Sequence, residues 1–311
     1  MSNWLRKTIL YLIPVLLTAA CGTDDETTAK TDTGETAALR INVAANTTRT
    51  VTAQTGTRYD TGKQIGISAK GAETPSDYSY TNVKYTQEAP DGNQEQWTTE
   101  QEIVLRRPNA TVTAYYPYRE GTNPEALSID CSDGIDWMYC PWTTETLNAR
   151  WPDITLTMLH AQALLRVELR RQGYAGEGRL KFIKIETSAL ALTGVVNTTT
   201  GTYTTTDTEG TLLQNYIEGE ELMLPADPSK VCSDEWFFLP TTFTGSVDIT
   251  FTVKVDKRTL STTTTVSADA LATGRIHLYA LKVMNSELEV SPVTIIPWQT
   301  VEDAHNMKPT N

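Results

Sequence analysis

The chain is short of the residues from which most chemical sites are built. Its 311 residues include three histidines, four cysteines and five phenylalanines. His160, His277 and His305 are not within metal-ligand spacing of one another, and no Cys-x-x-Cys occurs among Cys21, Cys131, Cys140 and Cys232. Structural zinc is therefore not expected. Equally missing are Gly-x-Ser-x-Gly, a phosphate-binding glycine loop, a dinucleotide fingerprint and His-Glu-x-x-His. The chain is expected to be no enzyme and to need no cofactor. Positive charge is scarce as well, with 26 Lys and Arg against 38 Asp and Glu and a net charge of −12. Without a basic cluster, binding to nucleic acid is not expected, nor is adhesion to anionic lipid by charge alone. No long amphipathic helix can be traced.

What the chain has in excess is threonine, 53 residues, clustered at Thr198–Thr200, Thr204–Thr206 and Thr262–Thr265. Threonine is stiff at χ1 and sits well on the solvated face of a sheet, so the excess argues for exposed β structure. Strand-like alternation runs through 64–69, 78–86, 110–118, 154–170, 179–186, 191–196, 235–240, 246–255 and 274–283, with Gly71, Pro75, Pro90 and Gly92 among the breaks. In the stretch 246–255, Val247, Ile249, Phe251, Val253 and Val255 share one face against Asp248, Thr250, Thr252 and Lys254. Many short strands at regular spacing predict an all-β sandwich. The section Arg119 to Asp153 carries no such pattern and reads as long loops. A boundary at its end gives an N-terminal β-sandwich domain over 39–152 and a C-terminal one over 153–311.

The first residues read as a leader. Arg6 and Lys7 precede an apolar run from Thr8 to Leu17, and Leu17-Thr18-Ala19-Ala20-Cys21 ends it. The run is too short to span a bilayer comfortably, which favours a processed signal over residues 1–21. Small residues before a cysteine resemble the bacterial lipobox, making Cys21 the expected lipidation site and the outer membrane the expected first location. Residues 22–38 have the composition of a disordered tether. Its acidic start, Asp24, Asp25 and Glu26, resembles the surface-export signal of Bacteroidetes lipoproteins. Directly after the tether, Leu39, Ile41, Val43 and Ala45 fall on one side of an extended chain, with Arg40 and Asn42 on the other. That is a half-buried strand, followed by a polar break containing Arg49.

The remaining candidate residues are few. His160 and His277 lie within apolar strands and read as packing histidines. Asp130 with Asp133 is a carboxylate pair of the kind found in surface turns. In an exported protein Cys131 and Cys140 can form a disulfide, leaving Cys232 as a small buried residue. Trp137, Trp142 and Trp151 could form a stacking platform for a glycan or could pack within the loops.

Taken in order, these pieces resemble the fimbrillins of Bacteroidales type V pili. The resemblance is carried by the lipobox, the strand ending Asn46-Thr-Thr-Arg-Thr50, and Gln64-Ile-Gly-Ile. Further along it is carried by Leu159-His-Ala-Gln-Ala-Leu-Leu-Arg-Val, Gly274-Arg-Ile-His-Leu-Tyr-Ala-Leu-Lys-Val and the closing Val293-Thr-Ile-Ile-Pro-Trp-Gln299. It implies two tandem transthyretin-like β-sandwich domains with Greek-key-type connections, export as a lipoprotein, and cleavage after Arg49 by an arginine-specific protease. Loss of the first strand would open a groove for a strand from another pilus subunit by donor-strand exchange, supporting adhesion at the cell surface in a fimbria. The family's donor is the C-terminal segment, here Leu288 to Val301 with Val290, Val293, Ile295 and Trp298 as its apolar residues. Pro292 and Pro297 each remove a ladder donor from it. The alternatives are a monomeric surface lipoprotein that binds a host glycan or protein, and a pilus anchor that keeps its lipid.

Overall fold

Period-two alternation turns into sheets that each bury one face. A computed structural model describes residues 34–44 and 62–298, apart from 74–75, 77, 89–95, 144–145, 207–209, 218 and 220. Cys21, Ala45 and Arg49 lie outside the described residues.

The first lobe is built on a six-stranded antiparallel sheet in the order Leu159–His160, Met138–Cys140, Ala110–Tyr116, Gln64–Gly71, Ser79–Gln87 and Trp97–Thr98. Two short pairs lie over it. Ala37–Ala38 runs antiparallel to Val104–Leu105, and Arg40–Ala44 runs parallel to Asp153–Thr157. Ile65, Ile67, Val83, Tyr85 and Val112 from the sheet meet Leu39, Ile41, Ile103, Leu105, Ile154 and Leu156 in one core.

The second lobe is a true sandwich. One sheet orders Leu190–Ala191, Cys232–Pro240, Ala163–Arg171 and Arg275–Val283, with Leu288–Val290 and Thr294–Pro297 both on the far edge of Arg275–Val283. The other orders Thr211–Asn215, Arg179–Glu186, Ser246–Val255 and Arg258–Ser267, with Leu222–Met223 also on Arg179–Glu186. Strands Ala163–Arg171 and Arg275–Val283 are parallel neighbours about a hundred residues apart, so the chain crosses between sheets in the interval. Val253, Phe251 and Ile249 face Leu165, Val167, Tyr279 and Leu281 across the sandwich. The outer face of the hairpin 246–267 carries a hydroxyl ladder, Thr250 to Thr263 at 3.0 Å and Thr252 to Ser261 at 2.7 Å. This is where part of the threonine excess resides.

Besides the end of the expected tether, where Ala37–Ala38 is an ordered strand paired with Val104–Leu105, three expectations need correction here. First, the division does not fall at residue 152. Asp153–Thr157 and Leu159–His160 pair with first-lobe strands because Ile154, Leu156 and Met158 bury into the first-lobe core. Second, the 119–153 section is not merely loop. Leu127–Asp130 joins Thr193–Val196 and Tyr203–Thr205 in a three-stranded sheet that ties the lobes together. Trp137, 1 % exposed, sits with Leu127, Ile129, Val196, Phe237 and Leu239 in a core shared by both halves. Third, no disulfide joins Cys131 and Cys140. Both are buried thiols lying in different cores, and Cys131 Sγ accepts a contact from Gln162 Nε2 at 3.4 Å.

Candidate strand-exchange site

The first strand is held by burial on one face and by pairing along one edge. Leu39 and Ile41 are 5 % and 7 % exposed, while Arg40 and Asn42 point to solvent. Val43 packs against the same core, half-buried. The register sets Ile41 beside Ile154 and Val43 beside Leu156, so two apolar pairs line up on the inner face. Leu39 N–H donates to Ile103 O at 2.9 Å and Arg40 N–H to Pro152 O at 2.9 Å. At the mouth, the Arg40 guanidinium grips Asp153 with two bonds of 2.7 and 2.6 Å, which raises the Arg40 pKa. Glu35 contacts Arg150 Nε at 3.3 Å. Both ion pairs are open to water, so they orient the strand more than they hold it.

The partner strand is the more informative half of this site. Among the described residues, Asp153–Thr157 has one ladder partner, Arg40–Ala44. Removing residues before Thr50 therefore bares an apolar slot walled by Ile154 and Leu156, beside a row of backbone groups with nothing to pair with. The alternation of Ile154 and Leu156 is plain in the sequence. What the sequence does not give is their neighbour, because a parallel pairing across more than a hundred residues leaves no local signal.

The C-terminal segment is docked on its own lobe. Leu281 to Val283 pair with Leu288–Val290, and Arg275 to Leu278 pair with Thr294–Pro297. Ser291 N–H donates to Ala280 O at 2.9 Å, and Trp298 N–H to Gly274 O at 3.0 Å. Val290 and Val293 pack against the second-lobe core, and Ile296 and Trp298 against the shared one. In this docked position Ile295 is 42 % exposed and Ile296 is the inward residue. Pro297 stands at the strand's last position, opposite Arg275, where an absent donor costs little.

Trp298 ends the segment in an aromatic clasp. Its ring stacks on His160 with centroids 3.7 Å apart and planes 8° from parallel, and it lies 5.7 Å from Phe237. His160 Nδ1 is 2.8 Å from Asp136 Oδ1. Asp136 is fully buried, and desolvation pushes its carboxyl up while His160 works against the shift. His160 is thus a packing residue, as its strand context suggested. His277 is likewise buried, with Nε2 3.3 Å from Ala272 O and its pKa lowered by burial. Asp136 was missed in the sequence: one acid in a patternless stretch carries no sign of its burial. Asp130 and Asp133 are turn acids, accepting from Ser132 N–H at 2.9 Å and Ile135 N–H at 2.8 Å.

The three tryptophans do not form a platform. Trp137 is buried under the Arg119 guanidinium, Trp151 is 59 % exposed, and Trp142 is half-buried beside Lys70.

Fold and site together define an all-β protein of two joined lobes, whose N-terminal strand completes one core and whose C-terminal segment closes the edge of the other. Residues 21–298 match the fimbrillin-like family, and the chain belongs to it. That family is one of fimbrial and cell adhesion proteins. Among solved structures, a cell adhesion protein of Bacteroides uniformis is 20 % identical, with a TM-score of 0.59 over 86 % of this chain and 99 % of that one. A cell adhesion protein of Bacteroides ovatus is 17 % identical, with a TM-score of 0.58 over 84 % and 98 %. A fimbrial protein of Bacteroides vulgatus is 14 % identical, with a TM-score of 0.53 over 85 % and 99 %. At these identities the likeness is one of fold. A comparison with curated proteins gives no match.

Proposed function

We propose that the chain is a structural subunit of a type V pilus, exported as a lipoprotein through Cys21 and matured by an arginine-specific protease after Arg49. Maturation removes the strand that carries Leu39, Ile41 and Val43, and a strand from another subunit then fills the slot beside Asp153–Thr157. The observation that carries this reading is that, among the described residues, Asp153–Thr157 has a single ladder partner, supplied by the segment upstream of the proposed cut. The C-terminal segment 288–298 is the counterpart to be given to a neighbour, because it lies on one edge of one strand and ends in a single aromatic clasp.

The test is the intact mass and N-terminal sequence of the protein recovered from its native cell surface. A chain beginning at Thr50 and carrying no lipid supports cleavage and an open slot. A chain beginning at acylated Cys21 overturns the polymerising role and leaves a subunit that stays anchored in the outer membrane.

A further inference from the structure

A second site lies on the outer face of the first-lobe sheet, away from the strand slot. A cleft of about 270 Å³ is lined by Lys70, Ser79, Thr81, Glu125, Trp142 and Thr199, with Ser68 and Asn123 at its margins. Lys70 and Ser79 are cross-strand neighbours on the face opposite the core. An outer sheet face is ordinarily open to water, but here two loops and an indole rise over it. The loops are tied down. Trp142 N–H donates to Thr199 O at 3.1 Å, and Pro124 O accepts from Thr198 N–H at 2.9 Å and Thr198 Oγ1 at 2.8 Å. The Lys70 ammonium stands 4.4 Å from the centroid of the Trp142 ring. The cleft is therefore preformed where residues of both lobes meet, which is where small-molecule sites concentrate.

From these walls we infer that the cleft binds a neutral saccharide of one or two rings. The half-buried indole of Trp142 offers an apolar surface with a wet edge, the kind of surface on which a flat ring can lie. Around it are the exposed hydroxyls of Ser79 and Thr81, the amide nitrogen of Asn123, one ammonium and one carboxylate, a set that both donates and accepts. Adjacent sugar hydroxyls require that mixture. A single Lys70 balanced by a single Glu125 gives an acidic sugar no net attraction, which favours the neutral class. The volume is just below the roughly 300–1,000 Å³ of typical ligand sites, enough for a terminal sugar but not for a long chain. The inference does not depend on strand exchange, since neither the first strand nor the C-terminal segment lines this cleft.

The test is a screen of the full mature chain on an array of neutral and sialylated oligosaccharides, followed by titration with the best-bound neutral methyl glycoside. Trp142→Ala should weaken that binding by about tenfold or more, the scale of one lost aromatic contact. Trp151→Ala, which changes an exposed indole outside the cleft, should leave it unchanged. If Trp142→Ala does not fold, Thr81→Trp serves instead: it fills the cleft from an exposed position and should abolish binding while preserving the melting temperature. Absence of any neutral binder on the array, binding of sialylated glycans alone, or undiminished binding by either cleft variant would each overturn the proposal.

Discussion

Replacing Ile41 by alanine tests whether the first strand is held by burial. Ile41 is 7 % exposed and lies in the first-lobe core beside Ile154. Truncating a buried isoleucine costs about 2–5 kcal/mol, the spread reflecting how far the site can collapse around the gap. Among the described residues Arg40–Ala44 pairs along one edge only, and Arg40 and Asn42 face water, so relaxation is easy and the lower half of that range applies. The expectation is a loss of about 2–3 kcal/mol. Arg40→Ala is the matched control. It breaks two bonds to Asp153, of 2.7 and 2.6 Å, but the two side chains are 67 % and 59 % exposed. Exposed pairs of this kind are screened by water and contribute little to stability. Guanidinium unfolding of both variants, followed by tryptophan fluorescence, gives the two losses on one scale. A loss for Ile41→Ala no larger than that for Arg40→Ala would refute the reasoning. The strand would then be held by its mouth and not its face, and cutting it away would not open an apolar slot.

Arg166 and Glu235 form a cross-strand ion pair with side chains 11 % and 12 % exposed. Arg166→Met alone should therefore cost about 3–5 kcal/mol, while Arg166→Met with Glu235→Leu should recover most of it in a denaturant titration. Trp298→Ala removes the stack on His160 and should cost about 1.5–3 kcal/mol. It should also speed amide hydrogen exchange in Arg275 to Leu278 while leaving Arg258–Ser267 unaffected. Burial pushes the Tyr85 phenol up to about 12, above its ordinary 10.0. The folded state therefore favours the neutral form: that stabilisation is complete below pH 10 and is lost as pH rises through about 12, which phenolate absorbance alongside circular dichroism would follow. Burial also raises the Cys131 and Cys232 thiols to about 12, so a thiol reagent at neutral pH should leave both unlabelled until the chain is unfolded.

The strands were legible wherever alternation was strong, because a buried face must repeat every second residue. Ser246–Val255, Arg179–Glu186 and Arg275–Val283 all fall where that pattern runs. Leu39 and Ile41 were legible as an inward face for the same reason. The pattern says which face is buried, not against what, and this is why Asp153–Thr157 was given to the wrong lobe. Its inward residues look alike whichever core receives them. The 119–153 section failed differently. Strands as short as Met138–Cys140 and Leu127–Asp130 hold too few residues to show a period, and Trp137 buries without any repeat around it.

The two ends of the chain perform the same task on different lobes, and the number of paired positions differs between them. The C-terminal segment makes three paired positions through Leu288–Val290 and four through Thr294–Pro297. The slot left by Arg40–Ala44 provides five, all parallel. A segment that leaves its own lobe for such a slot therefore gains fewer ladder positions than it gives up, and parallel pairing is slightly weaker per residue than antiparallel. Exchange would then have to be driven by side chains: Ile154 and Leu156 regain a cover, while the donor loses the packing of Val290, Val293, Ile296 and Trp298. Burying a large aliphatic residue is worth about 1.5–3 kcal/mol, so re-covering two residues returns less than the donor surrenders, and the balance rests on how much of the donor's own apolar surface is buried again in the slot. In the proposed assembly the decisive term is the first cut. Until the strand ending before Arg49 is removed, the slot is occupied by a segment tethered to the same chain, whose effective concentration a second subunit cannot reach. Proteolysis as proposed would remove that competitor irreversibly, and exchange would then run in the direction of assembly.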